Sequence, residues 1–207
     1  MDFVHPIAAV IPGAQGRVLA ALAETTAELN LRTLARLSGV SLAQASRVLP
    51  GLVELGLVER REVPPSSQFR LVRNHVAARA LLELAGARET VLTDIGRAAA
   101  ALDVQPASVI VFGSFARGEA GPDSDLDAVF VRPDRVGEDD EGWAASVEGW
   151  RTTVRTLTGN PVEVLEIALA AAGHRLASRQ PLWRDVRRDG RVVHGLTLDE
   201  LAGAPSA

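Results

Sequence analysis

The chain has 207 residues, 47% of them hydrophobic, with a formal net charge of −4. That supplies apolar material for one large or two small packed domains and excludes global disorder. With no cysteine and no lysine, disulfides, thiolate metal sites, a cysteine nucleophile, Schiff-base chemistry and a Walker-type phosphate lysine are all excluded. The charge is split unevenly. Residues 1–75 hold eight arginines against six acids, and residues 76–207 hold fourteen against twenty. The split suggests two units with different partners. No apolar run reaches the length of a membrane span, and the opening MDFVHPIAAVIPGAQGR lacks a basic leader region, so a cytoplasmic protein without membrane contact is expected.

In chain order, GRVLAALAETTAEL (Gly16–Leu29) has helical apolar spacing, and LRTLARLSGV is a short helix stopped by Gly39. Ser41 is placed to cap the next helix, LAQASRVLPGLVELG, in which Pro50 predicts a kink or irregular turn. LVERREV and QFRLVRN read as two strands joined by a Pro-Pro-Ser-Ser tip. Helical segments follow, HVAARALLELAG and then RETVLTDIGRAAAALDV. SVIVF is a strand, and a second strand carries Asp125 and Asp127. After an acidic loop, PDRVGEDDEG, a helix places Trp143, Val147, Trp150, Val154 and Leu157 on one face, as a packing stripe. PVEVLEIAL is a third strand, and the tail QPLWRDVRRDGRVVHG reads as a helix and a short strand.

Helices followed by a hairpin, with the phrase TLARLSGVSLAQASRVLPGLVELGLVERR, resemble a winged helix-turn-helix module of the kind found in many bacterial regulators. The domain is expected at 1–75, with a helical connector at 76–88. The resemblance implies double-stranded DNA as a partner, with the second helix of the pair in the major groove. Gln44, Ser46 and Arg47 are the polar positions expected to face it, with Arg60, Arg61 and Arg70 on or near the wing meeting phosphates. Such modules are often dimers, so a homodimer is an expected assembly.

The stretch VIVFGSFARGEAGPDSDLDAVFVRP carries the chemistry. Residues two apart on a strand share a face, so Asp125 and Asp127 project side by side. Two ionised carboxylates on a largely apolar strand repel each other and lose hydration, which a divalent cation relieves. Mg²⁺ takes carboxylate oxygens and keeps positions for water and phosphate, and Glu163 on the third strand supplies a further acid for a two-metal site. Glu166 falls on the opposite face from Glu163 by strand alternation. Gly113 lets a phosphate approach the backbone, Ser114 offers a hydroxyl, and Arg117 is within reach of a triphosphate.

Gly-Ser, a short gap, Asp-x-Asp on a strand and a later acid resemble the polymerase-β-like nucleotidyltransferases, and GSFARGEAGPDSDLD most resembles their minimal type. The resemblance implies an α/β (α+β) nucleotidyltransferase fold with a mixed sheet over 89–207. It also implies Asp125, Asp127 and Glu163 as metal ligands, Gly113 and Ser114 at the nucleotide phosphates, and transfer of NMP from an NTP, expected to be ATP, to an acceptor hydroxyl. Alternatives remain: a DNA-binding regulator whose transferase fold senses a nucleotide, or a toxin–antitoxin component, since minimal nucleotidyltransferases often act as antitoxins on a partner toxin. An aminoglycoside acceptor is a further possibility. His5, His75, His174 and His194 have no ligand spacing. RRDGRVVHG resembles a segment often seen in the family and is read as packing.

Overall fold

The computed structural model describes residues 1–203. They form two compact units, one of Val4–Ala87 with Asp2, the other starting at Arg88 and including Met1 and Phe3.

The first unit contains α1 (Pro6–Val10), α2 (Ala14–Ala23), a two-residue strand β1 (Leu29–Asn30), α3 (Leu31–Leu37), α4 (Leu42–Glu54), the hairpin β2 (Val58–Val63) and β3 (Ser66–Leu71), and α5 (Val76–Ala85). α2 stops short of Leu29 because that residue pairs with Phe69 of β3, which makes a three-stranded sheet in the order β1-β3-β2. Asn30 then caps α3, its side chain accepting from the Thr33 N–H at 2.9 Å. Ser41 caps α4 in a full capping box with Gln44. α4 runs unbroken through Pro50 to Glu54, so the expected irregular turn is absent. Its apolar face, with Ala45, Leu49 and Leu52 buried, holds the helix to the core across the missing N–H. The core gathers Val18, Leu22, Leu34 and Phe69, and α5 adds Ala78 and Leu81. The segment expected as a connector therefore packs inside the first unit.

The second unit contains α6 (Ala87–Ala100), β4 (Ser108–Phe112), α7 (Gly113–Arg117), β5 (Leu126–Arg132), α8 (Glu141–Thr158), β6 (Val162–Ala168), α9 (Leu169–Ala177), α10 (Pro181–Asp189), β7 (Arg191–Gly195) and α11 (Leu198–Ala202). The sheet order is β6-β5-β4-β7, with β5 and β6 parallel and the other pairs antiparallel. This is the expected α+β fold with a mixed sheet. Helices cover both faces. On one, Phe130 meets Trp150 edge-on with ring centroids 4.6 Å apart, and the Trp150 indole N–H donates to the Ile95 carbonyl of α6. On the other, Ile110, Val129 and Val131 pack with Leu176, Trp183 and Leu201. The α8 stripe is buried at Trp143, Val147, Trp150 and Val154, whereas Leu157 is 46% exposed. Thr158 takes the buried position at the helix end, donating its hydroxyl to the Val154 carbonyl. Among the described residues no helix is long and apolar enough to cross a membrane.

Candidate functional site

The turn from β4 into α7 and the start of β5 meet at one point. Phe112 and Asp127 are directly paired across β4 and β5, which sets Gly113 against the Asp127 side chain. Gly113 has φ +71°, in the left-handed region that favours glycine. A Cβ built there would stand 2.5 Å from Asp127 Oδ2. The backbone conformation thus favours glycine at this position, and any side chain there would have to push the Asp127 carboxylate aside. The Ser114 hydroxyl has no hydrogen-bond partner among the described residues.

Asp125 immediately precedes β5 and is exposed, and Asp127 is half-buried within it. Glu163 of β6 is paired in parallel register with Asp127. Burial raises the Asp127 pKa above the ordinary carboxylate value, and the charges of Asp125 and Glu163 raise it further, while Arg117 works the other way. Both of the other expected carboxylates thus act on Asp127. Oxygen donors of this type suit a hard divalent cation. As placed, no three acidic or histidine side chains among the described residues are gathered closely enough to hold a metal ion. Glu163 stands 3.7 Å from the Arg151 guanidinium of α8. Glu166, across β6, accepts from the Trp143 indole N–H and takes no part.

The loop leading to Asp125 is fixed from beneath. Asn160 is 1% exposed, and its amide donates to the carbonyls of Gly121 (3.3 Å) and Ser124 (2.9 Å). Arg117 lies between two carboxylates, with Nε on Glu119 at 2.7 Å and a terminal nitrogen 3.4 Å from Asp189. Arg188 also binds Asp189, and its hydrogen bonds are the main reason the Asp189 pKa falls below the ordinary value. Sequence reading treated the RRDG segment as packing. Its aspartate in fact anchors Arg117, a pairing 72 positions apart that no local pattern signals. Arg88 was also missed, and it braces α7 by donating to the Phe115 carbonyl at 2.8 Å.

In the first unit the residues expected to meet DNA divide into two groups. Gln44, Ser46 and Arg47 are all exposed on α4. The Gln44 side chain is engaged with the Ser41 backbone N–H and hydroxyl in the capping box, while Arg47 has no ion pair among the described residues. The wing arginines are each matched. Arg60 pairs with Glu62 at 2.6 Å, Arg70 with Glu59 at 2.7 Å, and Arg61 with Glu28.

Residues 97–176 match the family of nucleotidyltransferase domains. Residues 16–62 match the IclR helix-turn-helix domain. Two stretches of the chain thus resemble known domains, a nucleotidyltransferase domain and, ahead of it in the chain, a helix-turn-helix domain. A solved structure described as "Crystal structure of the toxin-antitoxin with AMP-PNP" is similar at 14% identity, covering 55% of this chain and 80% of that one with a TM-score of 0.35. No curated protein matches the chain.

Proposed function

We propose that the second unit is a nucleotidyltransferase that moves NMP from an NTP, with ATP as the expected donor, to an acceptor hydroxyl. The observation that supports this best is the apposition of Gly113 and Asp127, where a phosphate-admitting turn lies directly against a desolvated carboxylate. Asp125, Asp127 and Glu163 are the residues that would hold Mg²⁺. Bound there, a divalent cation would polarise phosphate oxygens and make the acceptor hydroxyl more acidic. The Gly113 turn admits the triphosphate close to the backbone, and the unpartnered Ser114 hydroxyl donates to it. Arg117, held by Glu119 and Asp189, presents positive charge beside Asp127. The acceptor oxygen forms a bond to the α-phosphorus, the α–β bond breaks, and pyrophosphate leaves. The acceptor proton passes to a carboxylate oxygen of Asp127, made more basic by burial and by its acidic neighbours.

Label transfer from α-labelled NTPs to components of a host lysate tests this. A product formed by the wild type and absent from an Asp125→Asn, Asp127→Asn double variant is expected, and equal labelling in both would overturn the reading. The second reading, a regulator that senses nucleotide without turnover, is favoured by the lack of a closed carboxylate trio among the described residues. Nucleotide binding without transfer of any label would select it.

We further propose that the helix-turn-helix binds duplex DNA mainly through α4, where Arg47 is free, with the matched wing arginines contributing less. Retardation of the chain's own promoter fragment, falling steeply with salt, is the expected result. An antitoxin role predicts a small partner protein that co-purifies with the chain, and a homodimer predicts twice the chain mass in sedimentation.

A further inference from the structure

Glu163 belongs to β6, the edge strand, so the sheet flanks it on one side only. From α8, which packs against β6, Arg151 reaches this edge. Its Nε donates to the Val162 carbonyl at 3.3 Å, one terminal nitrogen stands 3.7 Å from Glu163, and the other stands 3.6 Å from Glu148 on its own helix. Arg151, Glu163 and Glu148 line one small cleft of about 240 Å³ together with Arg155, which has no carboxylate partner among the described residues. The Arg151 fork thus has one fixed anchor on backbone and two carboxylates to choose between.

That choice bears on the cation site. Asp127 is paired in register with Glu163, whose charge disfavours that of Asp127, yet no closed trio of ligands forms among the described residues. Glu163 faces the guanidinium through one oxygen, Oε2, and while that oxygen is held there the carboxylate is not free to turn toward a neighbouring cation site. A guanidinium a few ångströms from a ligand also repels the incoming ion. We propose that Arg151 is a positioning residue that holds Glu163 in a resting ion pair, so that a divalent cation completes its carboxylate site only by displacing Arg151 toward Glu148. The proposal rests on the reading of Asp125, Asp127 and Glu163 as a cation site. Release is easy because Glu148 already lies within reach and because an ion pair this exposed is weak. That Glu163 shares a strand face with Asp127 follows from the parallel register of β5 and β6. The competitor on the neighbouring helix is visible only in the fold.

The test is Mn²⁺ binding to the full chain, read by electron paramagnetic resonance without nucleotide, so that turnover plays no part. Arg151→Ala is expected to tighten Mn²⁺ binding by about two- to fivefold, the size set by a surface ion pair. Glu163→Gln in the Arg151→Ala background should remove that gain. Arg151→Lys keeps the charge and should stay near the wild type. Arg151→Met keeps an unbranched stem without the charge and is the companion variant if thermal melting shows that alanine loosens the helix. Unchanged or weaker Mn²⁺ binding in Arg151→Ala and Arg151→Met, with binding still abolished by Asp125→Asn, Asp127→Asn, overturns the latch while leaving the carboxylate site standing. No Mn²⁺ binding by any variant overturns both. Binding that appears only when Arg151 is replaced supports the latch most strongly.

Discussion

The two units place their charges in opposite ways. On the wing of the first, each arginine stands beside a carboxylate: Arg60 with Glu62, Arg61 with Glu28, Arg70 with Glu59. At the β4–β5 junction of the second, like charges are set together, Asp127 with Asp125 and Glu163, and burial first, then these charges, raise the Asp127 pKa. Opposite charges on a surface strand satisfy each other and ask for nothing further. Like charges held around a half-buried carboxylate oppose folding, which is what the proposed cation would relieve. A net-charge sum does not record which charges stand together, so only the pairing separates the two cases.

The largest expected effect comes from dismantling the like-charge cluster. Asp125→Asn with Asp127→Asn should lower NMP transfer by about a thousandfold or more, measured by label incorporation, because cation-assisted charge stabilisation contributes several kcal/mol. Gly113→Ala attacks the same point through the backbone. It adds left-handed strain and a Cβ 2.5 Å from Asp127 Oδ2, so a loss of about 2–4 kcal/mol in urea unfolding is expected, together with loss of nucleotide binding. In the first unit the comparison predicts asymmetry. Arg47→Ala should weaken DNA binding about tenfold and reduce the salt slope by about one, whereas Arg70→Ala, which only frees Glu59, should change it much less.

The smallest effect is a pH signature. The folded pKa of Asp127 lies above the ordinary carboxylate value of 3.8. As pH rises through the window between those two values, the unfolded chain loses its proton first, so stability falls, and above the window the penalty is complete. Asp127→Asn should therefore melt a few degrees higher than the wild type at neutral pH in chelator, and the difference should close as pH falls toward 4. A constant difference across pH would show that packing, not charge, separates the two.

The parts of this site that could be read in the sequence are those whose reason is local. The period of two at Asp125 and Asp127, the apolar strands around them and the turn at Gly113 all announce themselves within a few residues. The helix-turn-helix was legible for the same reason, through Ser41, Gln44 and the helical spacing that follows. β1 was not, because Leu29 and Asn30 are a strand only by virtue of Phe69 and Gln68 beside them. Pro50 misled because propensity weighs the missing N–H and cannot weigh the burial of Leu49 and Leu52 on the face behind it. Leu157 misled because an apolar residue at the right spacing had run past the end of the core. The contacts of Arg151 with Glu163 and of Arg117 with Asp189 join distant segments, and spacing does not encode them.

Asn160 carries a consequence for timing. By donating to Gly121 and Ser124, it immobilises the approach to Asp125 before any nucleotide arrives. The entropy of ordering that loop is thus charged to folding and not to each encounter, so a bound nucleotide would meet a receptor already in shape. Slow amide exchange around Ser124 in the ligand-free protein is the kinetic mark of such a rigid rim, and Asn160→Ala would return that ordering step to every binding event.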